Sequence, residues 1–231
     1  MTEGLQHKLK GIVLVSGGMD SLVTAAVAKQ ECEEIFFLHV NYGQLTEVKE
    51  LYSFNKLVEH FQPKRTMISS IEYLKQIGDS SLLDTSIKMD SDSSTINNKE
   101  IPNTYVPFRN AHFLAIATSW AEALKADRIY IGIVEVDGSG YPDCRQEFID
   151  SFNLVIEKGT KNDQPIVVVA PLVNLTKKEI VLLGDKLNVP FELSWSCYRN
   201  NEMACGTCPS CQIRLKAFSE AGLTDPILYK I

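Results

Sequence analysis

The stretch GIVLVSGGMDSLVTAAVAKQ, residues 11–30, holds a strand, a turn and a helix in succession. Residues 11–15 are a short apolar run rich in β-branched side chains, the pattern of a strand buried on both faces of a parallel sheet. LVTAAVAKQ reads as a helix. Between them, Ser16, Gly17, Gly18, Met19, Asp20 and Ser21 bring two glycines, two hydroxyls and a carboxylate to the handover point. There the free amides and positive end of a helix meet an anion, and Gly17 and Gly18 let a phosphate approach the main chain closely. A bare glycine pair would read equally well as an ordinary turn; the framing serines and Asp20 favour phosphate. Val15 through Leu22 are therefore expected to hold ATP phosphates, with Asp20 orienting the turn or helping to hold Mg²⁺. Neither the Walker spacing G-x-x-x-x-G-K-[ST] nor G-x-G-x-x-G occurs at this strand.

Outward from that stretch, strands are expected at residues 35–40, 67–71, 128–134 and 166–170. Helices are expected at 46–61, 110–126, 146–158 and 212–221. Thr176 and Glu179 have the spacing of a capping box, opening a helix that should stop near Asn188, before Pro190. This alternation predicts a Rossmann-like α/β fold of three layers, with ligands at the carboxyl ends of parallel strands. Residues 78–103 are dense in Ser, Asp, Asn and Thr, too long for a simple connector, and are expected to be a functional lid or partly disordered.

The chain has 231 residues, 45% of them apolar, and a net charge of −6. That charge argues against wrapping duplex nucleic acid, and no stretch nears the ~18 apolar residues of a membrane span. The first apolar run is too short for an export signal, so a soluble, cytoplasmic protein acting on neither membrane nor nucleic acid is expected. Of six cysteines, Cys197, Cys205, Cys208 and Cys211 fall within fifteen residues. Four thiolates complete a tetrahedral shell for one structural Zn²⁺; a four-thiolate iron–sulfur cluster is the other option. Cys32, His39 and His112 read as packing residues. A division into residues 1–190, a nucleotide-handling α/β domain, and 191–231, a small metal-binding segment, follows.

The motif SGGMDS resembles the pyrophosphate loop of ATP pyrophosphatases, which cleave between the α and β phosphates. With NYGQ (41–44), IPNTYVPFRN (101–110), SGYPDCR (139–145), GTK (159–161), SWSCY (194–198) and CGTCPSC (205–211), the chain resembles the 7-cyano-7-deazaguanine synthases of the queuosine and archaeosine pathways along nearly its whole length. It departs at residues 134–138, VEVDG, where an Asn-Ala-x-Asp-Tyr run is more usual.

The resemblance implies a fold of the adenine nucleotide alpha hydrolase type and conversion of 7-carboxy-7-deazaguanine to the nitrile with ammonia and two ATP, through an adenylated acid and an adenylated amide. It implies catalytic roles for Asp20, Arg109, Arg145 and Lys161, with Arg109, Arg145, Lys161 and Lys177 the candidates to offset charge on phosphate or carboxylate. Tyr105, Phe108, Arg109, Tyr141 and Asp143 would recognise the flat deazaguanine, and the protein would be a homodimer. The other enzyme reading is a pyrophosphate-loop tRNA-thiolating or amide-forming ligase, for which Cys32 and Cys144 are the thiols outside the metal set. A zinc-ribbon nucleic-acid module is weakened by the acidic charge.

Overall fold

The computed structural model describes residues 8–88, 101–136, 140–161 and 165–230. β1 (Lys10–Leu14) lies at the centre of a five-stranded sheet with β2 (Glu34–Asn41), β3 (Arg65–Ser70), β4 (Arg128–Tyr130) and β5 (Val167–Val169). The order is β3-β2-β1-β4-β5 and every pairing is parallel. β1 is apolar on both sides because both sides are covered. Ile12 and Leu14 join one core with Leu114, Ala117 and Ala121, while Val13 and Val15 join another with Leu22, Val23, Ile180 and Phe218. The chain leaves β1 toward β2 and later returns on its other side as β4, so the strand order reverses there. In open α/β sheets such a reversal opens a crevice at the carboxyl ends of the strands.

The helices are α1 (Met19–Glu31), α2 (Glu47–Phe61), α3 (Leu74–Ile77), α4 (Arg109–Leu124), α5 (Gln146–Gly159), α6 (Lys177–Lys186) and α7 (Pro209–Ala221). This is the expected Rossmann-like α/β fold with a parallel sheet. None of the described helices is long and apolar enough to cross a membrane.

Boundaries moved in three informative places. α1 starts at Met19 rather than Leu22, so Met19, Asp20 and Ser21 form its first turn. The strand expected at 128–134 ends at Tyr130, although Ile131 N–H still donates to Val169 O at 3.0 Å. Beyond it Gly132 presses against α1, where a methyl group would lie 3.0 Å from the Asp20 backbone. α7 begins at Pro209, not Gln212, since proline suits a first helical position, where no amide partner is needed. The Thr176–Glu179 capping box forms in full.

Of the expected lid, residues 89–100 lie outside the described residues, as do 137–139 of the glycine-rich loop. The flanks are tied together, Ser81 N–H donating to Asn103 O at 2.8 Å, and Leu82 and Leu83 enter the core.

α6 packs so closely that Gly184 has no room for a side chain. A methyl group there would sit 2.3 Å from Phe191 Cζ and 3.0 Å from Val23 and Val189. Phe191 cannot swing away, because its ring abuts Phe218 at 5.0 Å. Gly184→Ala gains about 1 kcal/mol of helix propensity but overpacks the core, which typically costs ~1–3 kcal/mol. A net loss of stability in urea titration is expected; a variant more stable than wild type would refute this packing.

Candidate active site and cysteine cluster

The turn after β1 is built by its own side chains. Gly17 takes φ +89°, a left-handed conformation, and a methyl group on it would meet Glu50 O at 2.7 Å. Ser16 Oγ accepts from Gly18 N–H at 3.2 Å, and Ser21 Oγ donates to Gly18 O at 2.9 Å. His39, read from sequence as a packing residue, has Nδ1 2.8 Å from Val15 O, so that nitrogen carries the proton and holds the end of the strand. Lys177, at the start of α6, places Nζ 2.6 Å from Asp20 Oδ2 in the first turn of α1. Two helix amino-termini thus converge at the turn. Asp20 Oδ1 is buried without a hydrogen-bond partner.

The turn opens onto a cavity of about 270 Å³ at the carboxyl end of β1 and β2. Val15, Ser16, Gly18, Met19, Asp20, Ser21, Arg109 and Tyr141 line it, so the structure gathers much of the expected nucleotide set with two expected substrate residues. Arg109 opens α4 and donates from Nη1 to Tyr42 Oη at 3.0 Å, with its guanidinium 5.0 and 5.6 Å from the Tyr42 and Phe113 rings. Tyr141 donates to Thr104 Oγ1 at 2.6 Å.

Other expected residues stand back from the cavity. Gly17 turns behind the loop, and Leu22 is fully buried in the core. Tyr105 packs on Tyr141 and accepts from Phe108 N–H, while Phe108, at φ 57°, is 58% exposed. Asp143 is buried behind the wall, accepting from Asn110 N–H at 2.9 Å, and burial raises its pKa. Arg145 is a surface residue paired with Glu147. Lys161 is exposed, its backbone N–H bonded to Glu122 Oε1 at 2.8 Å. In exchange, Tyr42, Phe113, Cys144, Trp195, Tyr198 and Arg214 line the cavity. The motifs NYGQ, SGYPDCR and SWSCY carried four of these six, but nothing in one sequence told their inward side chains from their outward ones.

Cys197, Cys205, Cys208 and Cys211 place their sulfurs within 4.8 Å of one another. The backbone N–H groups of Arg199, Asn200 and Cys205 point at Cys197 Sγ at 3.3–3.4 Å, and Cys208 N–H points at Cys205 Sγ at 3.2 Å. Hydrogen bonds from the Cys208 and Cys211 thiols, aided by backbone amides, hold Cys197 below the usual thiol range. Four convergent sulfurs with amide donors suit a soft metal ion. The cluster is wired to the turn, for Trp195 donates its backbone N–H to Gly17 O at 2.8 Å and its Nε1–H to Cys197 O at 3.2 Å.

The family profile described as Queuosine biosynthesis protein QueC matches residues 10–222. A 7-cyano-7-deazaguanine synthase of Chloroherpeton thalassium is 49% identical over 223 residues, covering 96% of this chain and 98% of its own. One from Chlorobium chlorochromatii is 51% identical over 222 residues, covering 96% of each. A solved structure described as the predicted subunit of tRNA methyltransferase from Methanocaldococcus jannaschii superposes with TM-score 0.50 at 13% identity, over 94% of this chain and 90% of that one. The last likeness shows the fold alone.

Burial pushes the Cys144 thiol up to about 12, the neighbouring Asp143 carboxylate adding to the shift. Only thiolates alkylate readily, and at pH 8 such a thiol is about one part in ten thousand ionised. Peptide mapping of folded protein treated with iodoacetamide is expected to find Cys144 unmodified at pH 8 and modified increasingly as pH approaches its pKa. Rapid labelling at pH 7 would overturn this placement.

Proposed function

The chain belongs to the Queuosine biosynthesis protein QueC family of 7-cyano-7-deazaguanine synthases, ATP-dependent ligases, and on that premise we propose that its cavity turns 7-carboxy-7-deazaguanine into the nitrile. The observation that carries the reading is the turn of residues 16–21 at the amino-terminus of α1, opening onto a cavity whose far wall is Arg109 among aromatic rings.

A carboxylate is a poor electrophile because it is charged and lacks a leaving group. Its oxygen attacks the α-phosphorus of ATP and diphosphate departs, leaving the acyl adenylate. Ammonia adds to the carbonyl carbon, and loss of AMP and a proton gives the amide. The amide oxygen then takes a second adenylyl group, releasing diphosphate. Loss of AMP and the remaining N–H protons leaves the nitrile. In both activations the amides and hydroxyls of the turn offset charge on the leaving diphosphate, the kind of preorganised stabilisation that dominates such chemistry. Lys177 adds a cation at the same place and keeps Asp20 in position. Asp20, with its unpartnered Oδ1, fits the task of helping to hold Mg²⁺, which supplies charge neutralisation when bound.

No covalent enzyme nucleophile is required, which agrees with a Cys144 thiol kept protonated by burial. The same property disfavours a thiolating ligase, since Cys32, the other thiol outside the cluster, is buried and its pKa is raised by that burial. In this reading residues 1–190 handle nucleotide and substrate, and residues 191–231 close the site around one structural zinc held by Cys197, Cys205, Cys208 and Cys211. Arg145 and Lys161 remain candidates for the phosphates only if their loops close inward. The protein would act as a cytoplasmic homodimer on small molecules, not on nucleic acid.

Metal analysis of protein produced in zinc-containing medium is expected to find one zinc per chain. Cys211→Ser should lower that content and loosen the carboxyl end, because structural metal binding is folding free energy. Iron with visible absorbance would replace the zinc assignment by a cluster.

Product analysis with ATP, ammonium and the acid is expected to give two AMP per nitrile. Because one turn serves both activations, Asp20→Ala should slow acid and amide steps alike, by about 10²–10³. ADP as product would rule out the phosphate assignment. An Asp20→Ala enzyme that still turned over the amide at wild-type rate would require a second nucleotide site.

A further inference from the structure

Two arginines stand on the cavity wall, and their partners differ completely. Arg214 is 1% exposed, and the protein uses all of its N–H groups. Nε and Nη2 grip Asp225 at 2.8 and 3.0 Å, Nη1 reaches Ser194 and Ser196 at 2.7 and 3.3 Å, and Nη2 also reaches Phe191 O at 3.1 Å. Its counter-ion is internal. Arg109 has five N–H groups too, but gives one hydrogen bond, to the neutral hydroxyl of Tyr42. Its Nε is buried without an acceptor; the Asp143 carboxylate acts on it electrostatically, but no carboxylate among the described residues forms an ion pair with it.

A guanidinium does not shed its proton, and a partly buried cation with no directly bonded carboxylate is costly. The ring faces of Tyr42 and Phe113 return part of that cost. The Asp143 carboxylate nearby returns a further part, and the remaining N–H groups are available to a ligand anion. The two substrates bring two anions, a triphosphate and a carboxylate. The triphosphate already has the turn, the start of α1 and Lys177. The surroundings of Arg109 are flat and aromatic, with Tyr42, Phe113, Tyr141 and Tyr198 on the same cavity. Such walls suit a heteroaromatic ring and disfavour a hydrated polyanion.

We propose that Arg109 is the anchor for the substrate's carboxylate and therefore serves the first activation selectively. This rests on the reading above. The acid is anionic and pairs with the guanidinium; the amide formed from it is neutral and is held by the rings and the turn. One site thus meets two successive substrates with different demands on one residue, whereas the turn is shared by both steps.

The experiment compares Arg109→Gln, Arg109→Lys and wild type in single-turnover AMP formation, starting separately from 7-carboxy-7-deazaguanine and from the corresponding amide, with melting curves on each protein. Removing one member of a buried charge pair is expected to slow the acid step by about a hundredfold. The amide step should stay within about fivefold, as expected when no ionic partner is lost. Arg109→Lys, which keeps charge without the planar fork, should recover part of the acid step only. If Arg109→Gln does not fold, the lysine variant carries the comparison, and its loss must still fall on the acid. Equal losses from both substrates, or a raised KM for ATP in both steps, would overturn the proposal and make Arg109 a phosphate ligand. A wild-type enzyme that made no nitrile from either substrate would instead defeat the functional reading itself.

Discussion

The backbone hydrogen bond from Trp195 N–H to Gly17 C=O, 2.8 Å long, joins the two halves of the site. Gly17 can turn its carbonyl toward Trp195 because it adopts φ +89°, and no side chain would fit against Glu50 O at that point. Trp195 lies two residues before Cys197, and Lys49 of α2 covers its ring at 4.4 Å. The turn of residues 16–21 is thus held from behind by α2 and from the side by the cysteine-rich segment. A loop that must stabilise charge without reorganising benefits from being held on both sides.

Arg214 extends that bracing. Its bonds to Ser194, Ser196 and Phe191 O secure the segment carrying Trp195, and its grip on Asp225 draws in the end of the chain, where Tyr229 Oη also donates to Asp225 at 2.6 Å. Every donor of the guanidinium is met, so this buried ion pair has the satisfied geometry that offsets its desolvation. The four sulfurs lie on the other side of the same segment, between Cys197 and the first turns of α7. Cysteine cluster, buried arginine and glycine turn are consecutive links in one chain of contacts. The cavity beside them combines a polar end, at the turn and Lys177, with an aromatic end, at Tyr42, Phe113, Tyr141 and Tyr198, as the proposed joining of a nucleotide to a flat ring requires.

What was legible in the sequence was whatever local physics enforces. An apolar β-branched run followed by a Gly-Gly turn and an alanine-rich helix has few other ways to fold, so the strand, turn and helix were readable in the sequence. The same holds for the capping box at Thr176 and the four cysteines, whose spacing brings them together whatever the rest of the chain does. Composition and alternation sufficed for the parallel sheet. Even here tertiary contact moved the boundaries, starting α1 three residues early and ending β4 at Tyr130, where Gly132 meets α1.

The far wall of the cavity was decided only by the fold. Tyr42, Phe113, Tyr141 and Tyr198 come from the end of β2, from α4, from the loop before α5 and from the cysteine segment, and no spacing along the chain relates them. Arg109 and Arg214 look alike as letters; among the described residues the side chain of one has every donor met and that of the other gives one hydrogen bond, because only Arg214 has a carboxylate within bonding reach. Arg145 and Lys161 sit in motifs as marked as that of Arg109, yet stand at the surface. Sequence alone determined the fold, the strand–turn–helix of residues 11–30 and the clustering of the four thiols, since each depends on neighbours in the chain. Which charges face the cavity, and which are already neutralised, depends on how separate segments pack, Lys177 meeting Asp20 across 157 positions and Arg109 meeting Tyr42 across 67, and the tertiary structure alone brings those together.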